Sequence, residues 1–178
     1  YTLGSSPERA LQFHLRAGED AARVFANSTA LTSYGQALVL ISARPAGRGR
    51  DEAELSVRRS MAPPQTALLG YSSATLLANL DRVRDLALSL GHREVLSDSL
   101  IGIFAGHYVQ GRIGSSHTIA RQVLELAGDD PDLLGQAHFA VAGATQGLGR
   151  AAESIEHFAR GREIGRPGYS YILGTRLE

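Results

Sequence analysis

The chain has 178 residues, enough for one domain with its own core, and its 18 basic residues balance its 18 acidic ones. That zero net charge argues against a strong pull toward nucleic acid or an anionic membrane. The absence of cysteine removes disulfides, thiolate nucleophiles and cysteine metal sites. Every basic residue is arginine, so neither a Walker A loop nor a Schiff-base lysine can be encoded.

In chain order, the pattern predicts helix after helix. Ser6-Pro7-Glu8 reads as a cap, a first-turn proline and an acid near the positive end of a helix dipole. Leu11, Leu15, Gly18, Ala22 and Phe25 then recur at three- and four-residue spacing. Asn27 is placed to cap a second helix, with Ala30, Tyr34, Ala37, Leu38 and Ile41 on its buried side. The stretch ARPAGRGR, 43–50, is a loop by composition, with a small basic cluster of Arg44, Arg48 and Arg50 that reads as a solvated linker. A third helix starts near Asp51, and Pro63-Pro64 predicts a kink or break in it.

Ser72 or Ser73 opens a fourth helix, which Gly91 closes. A fifth is expected over about Glu94 to Tyr108. A sixth carries Ile119, Ala120, Val123, Leu124 and Ala127. Asp130 and Pro131 open the seventh, and the eighth runs from about Ala151 to Glu163. No segment alternates with period two for long enough to be a convincing strand. A shift of 38 residues lays Gly111-Arg112 on Gly149-Arg150 and Ser116 on Ser154, which marks a repeated helix pair.

The segment VAGATQGLGRAAESI, 141–155, invites a different reading, as the glycine loop of an NAD(P)-dependent short-chain oxidoreductase, with Phe139–Ala142 as the strand before it. Only 29 residues follow Gly149, there is no lysine for a Tyr-x-x-x-Lys pair, and the upstream chain shows no alternating strands and helices. The repeat reading places the same glycines at the end of one helix and in the turn to the next.

These residues resemble tetratricopeptide (TPR) repeats. In that family a small residue sits midway in the first helix, a glycine lies in the turn, and small, aromatic and small residues follow in the second helix. Gly18, Ala30, Tyr34 and Ala37 match this in the first pair. Ala142, Gly149, Ser154, Phe158 and Gly161 match it in the last, while Gly111 heads a pair whose aromatic slot holds Ala120. The resemblance implies an all-α, right-handed α-α superhelix of about eight helices in four antiparallel pairs, a single domain over 1–176. The run HLRAGEDAARVFANSTALTSYGQAL and the segment EHFARGREIGRPGYSYILGTR are similar to parts of large actinobacterial regulators of the LuxR and antibiotic-regulatory type, where helical repeats follow an ATPase module, and to some adenylate cyclases. A GC-rich bacterial source fits the arginine, alanine and glycine usage. The start at Tyr1 and the terminal Leu177-Glu178, which matches a vector-derived tag scar, read as an excised piece of a longer protein.

The implied function is a non-enzymatic protein-interaction or ligand-sensing module of a multidomain, cytoplasmic transcriptional regulator, with the arm of a cyclase-like signalling ATPase as the alternative. In the repeat register the first helix of each pair lines a concave groove. Gln12 and Glu19 are assigned there from the first pair, Asp98, Ile101 and Tyr108 from the third, and Gln136, Phe139 and Gln146 from the fourth. The expected occupant is a peptide, a protein domain or a small effector, with the parent's ATPase and DNA-binding parts as neighbours and no direct contact with nucleic acid or membrane. A repeat stack cut at both ends would also expose apolar faces through which two copies can pair. No cofactor or metal is expected. His14, His92, His107, His117, His138 and His157 show no paired helical spacing, and Asp129, Asp130 and Asp132 read as a cap and turn.

Overall fold

The computed structural model describes residues 7–164 and the backbone of 170–172 and 175–177. Among these residues eight helices follow one another: α1 Pro7–Arg23, α2 Asn27–Ser42, α3 Arg48–Leu69, α4 Ala74–Leu90, α5 Arg93–Val109, α6 Ile113–Ala127, α7 Pro131–Gly147 and α8 Ala151–Ile164. A short antiparallel ribbon, β1 Ser170–Ile172 with β2 Thr175–Leu177, supplies strands that the sequence pattern did not announce. Its register pairs Tyr171 with Arg176.

The predicted caps explain several boundaries. Asp130 accepts from the backbone N–H groups of Asp132 and Leu133, with Pro131 at the first helical position. Ser73 accepts from the Leu76 N–H at 3.5 Å, and Gly91 ends α4 in the left-handed region. Asn27 is the first residue of α2 rather than its side-chain cap. The expected Ser6 cap lies outside the described residues. Arg93 closes α6 from a distance: its guanidinium donates to the carbonyls of Leu126 and Ala127, placing positive charge at the negative end of the helix.

Three turns share one geometry. At the end of α5 the Gly111 N–H donates to the Tyr108 carbonyl and the Arg112 N–H to that of His107. Thirty-eight residues later Gly149 donates to Gln146 and Arg150 to Thr145 in the same way. This is the Schellman closure, whose key residue must take a positive φ, and φ is +74° at Gly111 and +76° at Gly149. After α1 the same bonds run from Phe25 to Ala22 and from Ala26 to Ala21, but here a phenylalanine stands in the left-handed position, at φ 57° and 84% exposed.

The chain divides into two compact units, with the boundary between Gly91 and His92. In the first, α1 packs on α2, α2 on α3 and α3 on α4, with α3 also touching α1. Leu11, Ala21, Ala30, Tyr34, Ala37, Ile41 and Val57 form one buried cluster there. Gly18 is obligatory in it: a Cβ at that position would lie 2.5 Å from the Tyr34 ring. In the second unit α5 packs on α6, α6 on α7 and α7 on α8, and α5 touches α7. Its core holds Ile101, Phe104, Ala120, Val123, Ala137, Ala140 and Val141. Ser154, at the α7–α8 crossing, donates its hydroxyl to the Ala142 carbonyl at 2.9 Å, so its side chain is a spacer that is also hydrogen-bonded.

The expected start of α3 is corrected, and a break at Pro63-Pro64 is excluded. The helix α3 begins at Arg48, inside the expected loop, and runs through Pro63-Pro64 without a break. The two prolines withdraw amide donors from one turn, yet Leu55, Val57, Pro64 and Gln65 are buried along its length, so packing on both sides carries the helix past the missing bonds. Phe139–Ala142, weighed as the strand of a dinucleotide-binding unit, lies in the middle of α7. The glycines of 141–155 end that helix and form its turn, so the oxidoreductase reading has no strand to stand on.

Two substitutions follow. Gly18→Ala should destabilise the first unit by about 1–3 kcal/mol in equilibrium urea unfolding, because the added methyl meets a buried ring that has no room to move. Phe25→Gly should stabilise it by about 0.5–1 kcal/mol, since relief of the left-handed backbone outweighs the added freedom of the unfolded chain.

Candidate functional site

The projected groove positions separate once they are placed. Gln12 and Glu19 are exposed on α1, two turns apart, and Asp98 and Gln146 are exposed on α5 and α7. Tyr108 is half-buried, its ring 5.8 Å from that of Phe104, and belongs as much to the core as to the surface. Ile101 is 1% exposed and Gln136 is also buried, so neither presents its side chain to a ligand. Phe139 turns toward α8, where its ring sits 5.9 Å from Phe158 and covers Gly161. The projection fails for these three because α5 and α7 are interior helices, buried on more than one face. On such helices no single stripe marks the inside.

The positions assigned to packing occupy packing sites or turns. Ala30, Tyr34, Ala37 and Ser154 are buried and Gly18 lies against the Tyr34 ring. Gly111 and Gly149 form turns, and Phe158 lies at the edge of α8, still 37% exposed. Burial of the Tyr34 phenol raises its pKa, against the effect of its hydrogen bond with Ser60.

Within the first unit, α2, α3 and α4 enclose a cleft of about 220 Å³ lined by Leu38, Ile41, Ser42, Arg50, Glu54, Arg58 and Arg82. Glu54 is its hub. Arg82 donates to both carboxylate oxygens at 2.8 Å and Arg58 donates Nε to one of them at 2.7 Å. The Arg82 hydrogen bonds hold the Glu54 carboxyl at a pKa of about 2 against the opposing effect of burial, with Arg58 adding to the shift. Arg58 is itself fixed to Asn79 of α4: its NH1 donates to Oδ1 at 3.2 Å, and the Asn79 amide donates to the Arg58 carbonyl at 2.9 Å. Arg50 pairs more loosely with its neighbour Asp51, at 3.2 Å. The sequence suggested a basic loop of Arg44, Arg48 and Arg50. Instead Arg50 joins two arginines from elsewhere, while Arg44 pairs with Glu8 and Arg48 with Glu52.

Within the second unit a buried histidine pair joins α7 to α8. His138 and His157 bring their Nδ1 atoms to 2.8 Å, so one ring donates and the other accepts. Burial lowers both pKa values. For His138 the next contributors are His157 and Arg160, which oppose protonation. For His157, Arg160 and Arg121 oppose it while Glu153 and Glu156 favour it. Sequence spacing could not have shown this pair, because the partners stand 19 residues apart on different helices. Among the described residues no group of three or more histidines and carboxylates could hold a metal ion.

No family model matches the sequence, and no curated protein matches it. Solved structures do. The chain is similar to aspartyl phosphate phosphatase F from Bacillus subtilis, at 14% identity and a TM-score of 0.72, over 91% of this chain and 41% of that one. It therefore spans less than half the length of that protein. It also aligns, at 13% identity and a TM-score of 0.42, with a P. anserina kinesin light chain of TPR-like repeats, over 90% and 97% of the two chains. The likeness at a TM-score of 0.72 shows the fold alone, an all-α array of successive helix hairpins. Among the described residues no helix is long and apolar enough to cross a membrane.

The histidine pair makes stability pH-dependent in a defined direction. Both groups bind protons more weakly in the folded state than in the unfolded chain, so their contribution is complete above about pH 6.5 and is lost as the pH falls below it. Urea unfolding of the wild type should weaken between roughly pH 7 and pH 5, and His157→Asn should flatten that difference. An identical pH profile in the variant would show that the pair does not titrate in this range.

Proposed function

We propose that the chain is a non-enzymatic interaction and ligand-sensing module, the helical-repeat arm of a multidomain bacterial transcriptional regulator of the LuxR type working in the cytoplasm. One observation carries the interaction reading. Each unit sets the first helices of successive pairs side by side, α1 with α3 and α5 with α7, and leaves polar side chains exposed on them. Gln12 and Glu19 in the first unit, and separately Asp98 and Gln146 in the second, offer amide and carboxylate groups on helices, each a suitable surface for a peptide or a neighbouring domain. The regulator context rests on the sequence resemblance of residues 14–38 and 156–176.

The mechanism is a shift in equilibrium. A partner that binds one packing of the helix pairs better than another biases the attached domains by no more than that difference in affinity. The phosphatase named in the similar structure remains a property of that protein. Here the cleft's carboxylate is spent on two arginines, and the buried histidines are spent on each other.

The test is a pair of charge changes, Glu19→Arg with Gln146→Arg, made in the parent protein in its own cell. Both sites are exposed, so the unfolding free energy should stay within about 0.5 kcal/mol. RNA sequencing should show altered transcription of a defined gene set. An unchanged transcriptome with the protein present at normal level would sink the regulator reading. Release of phosphate from acetyl phosphate, lost on substitution of a single side chain, would overturn the non-enzymatic one.

A further inference from the structure

We propose that the cleft between α2, α3 and α4 is a binding site for a small tetrahedral oxyanion, a phosphate group carried free or on a short phosphomonoester. The site lies within the first unit and does not use the exposed positions of α1, α5 and α7, so its failure would leave the interaction reading in place.

Charge comes first. Three guanidinium groups and one carboxylate line the cleft, while Asp51 beside Arg50 and Asp85, whose charge also acts on Arg82, are not part of its lining. Arginine stays charged throughout the accessible pH range, and the Arg82 and Arg58 bonds keep Glu54 ionised, so the arrangement does not depend on pH.

Donor geometry comes second. Arg82 commits Nε and NH2 to Glu54, Arg58 commits Nε to Glu54 and NH1 to Asn79, and Arg50 commits Nε and NH2 to Asp51. Each guanidinium thus keeps one terminal nitrogen outside these bonds. A planar carboxylate is best served by both prongs of one fork, and Glu54 already occupies the fork of Arg82. Three single donors carried by three different side chains suit an anion with oxygens in several directions. Glu54 also fixes two of the guanidiniums before any ligand arrives, which reduces the entropy cost of binding.

Size and lining come third. At about 220 Å³ the cleft is below the usual range for pockets that hold drug-sized ligands and suits a small anion. Leu38 and Ile41 supply an apolar wall for a few carbons. Ser42 at the margin donates its hydroxyl to the Val39 carbonyl and is not counted as a donor.

The experiment is isothermal titration calorimetry of the whole chain at low ionic strength with inorganic phosphate and, separately, with glycerol 3-phosphate. Arg50→Gln and Ser42→Glu are the test variants, because Arg82→Gln would strand the Glu54 carboxylate and can unfold the unit. Ser42→Glu leaves every arginine intact and sets a negative charge at the margin. The expected result is binding at millimolar concentration or tighter, weakened on the order of tenfold or more by either variant, with circular dichroism unchanged. Tighter binding of glycerol 3-phosphate would identify a phosphomonoester that uses the apolar wall. Equal binding would identify free phosphate. Absence of binding by the wild type, or affinity that neither variant alters, would overturn the proposal.

Discussion

The close approach of helices at small residues is the constraint on which the rest of this structure depends. Gly18 lets the Tyr34 ring lie where a side chain would be, Gly161 does the same for Phe139, and Gly147 for Ile113. Ser154 is small enough for its crossing and long enough to reach the Ala142 carbonyl. Alanines at 30, 37, 120, 137, 140 and 144 are wholly buried, so the cores are built as much from short side chains as from large ones. Short side chains contribute little apolar area each, and stability then depends on dense packing.

The turns convert this packing into repeated pairs. A Schellman closure reverses the chain after α1, α5 and α7 with the same two backbone bonds, so in each case the following helix returns along the one before it. Within each unit this arrangement brings alternate helices into contact and leaves part of their surface to solvent. At the first of these turns the phenylalanine in the glycine position is strained and exposed together with Val24. Nothing within the first unit accounts for that choice.

Polar contacts then tie particular helices together, and the two units do so in different chemical terms. In the first, Glu54 with Arg58 and Arg82 links α3 to α4 through groups that keep their charges at any ordinary pH. In the second, His138 and His157 link α7 to α8 through neutral rings whose one hydrogen bond requires opposite tautomers. The first link is charged and lines a cleft. The second is buried, and acid acts against it because each ring is already disfavoured for protonation by burial and neighbouring arginines.

The sequence by itself determined the helices, most of their ends and the turn glycines. Those are local matters: a stripe every three or four residues, Asp130 and Ser73 at caps, and the positive-φ turn positions Gly91, Gly111 and Gly149. The small-aromatic-small pattern marked Gly18 and Tyr34 as packing positions, and the folded unit set the Tyr34 ring against Gly18. Tertiary structure alone decided three things. It carried α3 through two prolines, because burial on both sides outweighed the lost backbone bonds. It buried Ile101 and Gln136 and turned Phe139 into the α7–α8 seam, because an interior helix has more than one inside face. And it brought Arg82 of α4 to Glu54 of α3, beside Arg50 and Arg58 of the same helix, and His138 of α7 to His157 of α8. Periodicity tells which side of a helix is covered, but which polar groups meet depends on how far helices slide and rotate against each other, and that is set by the packing of the whole unit.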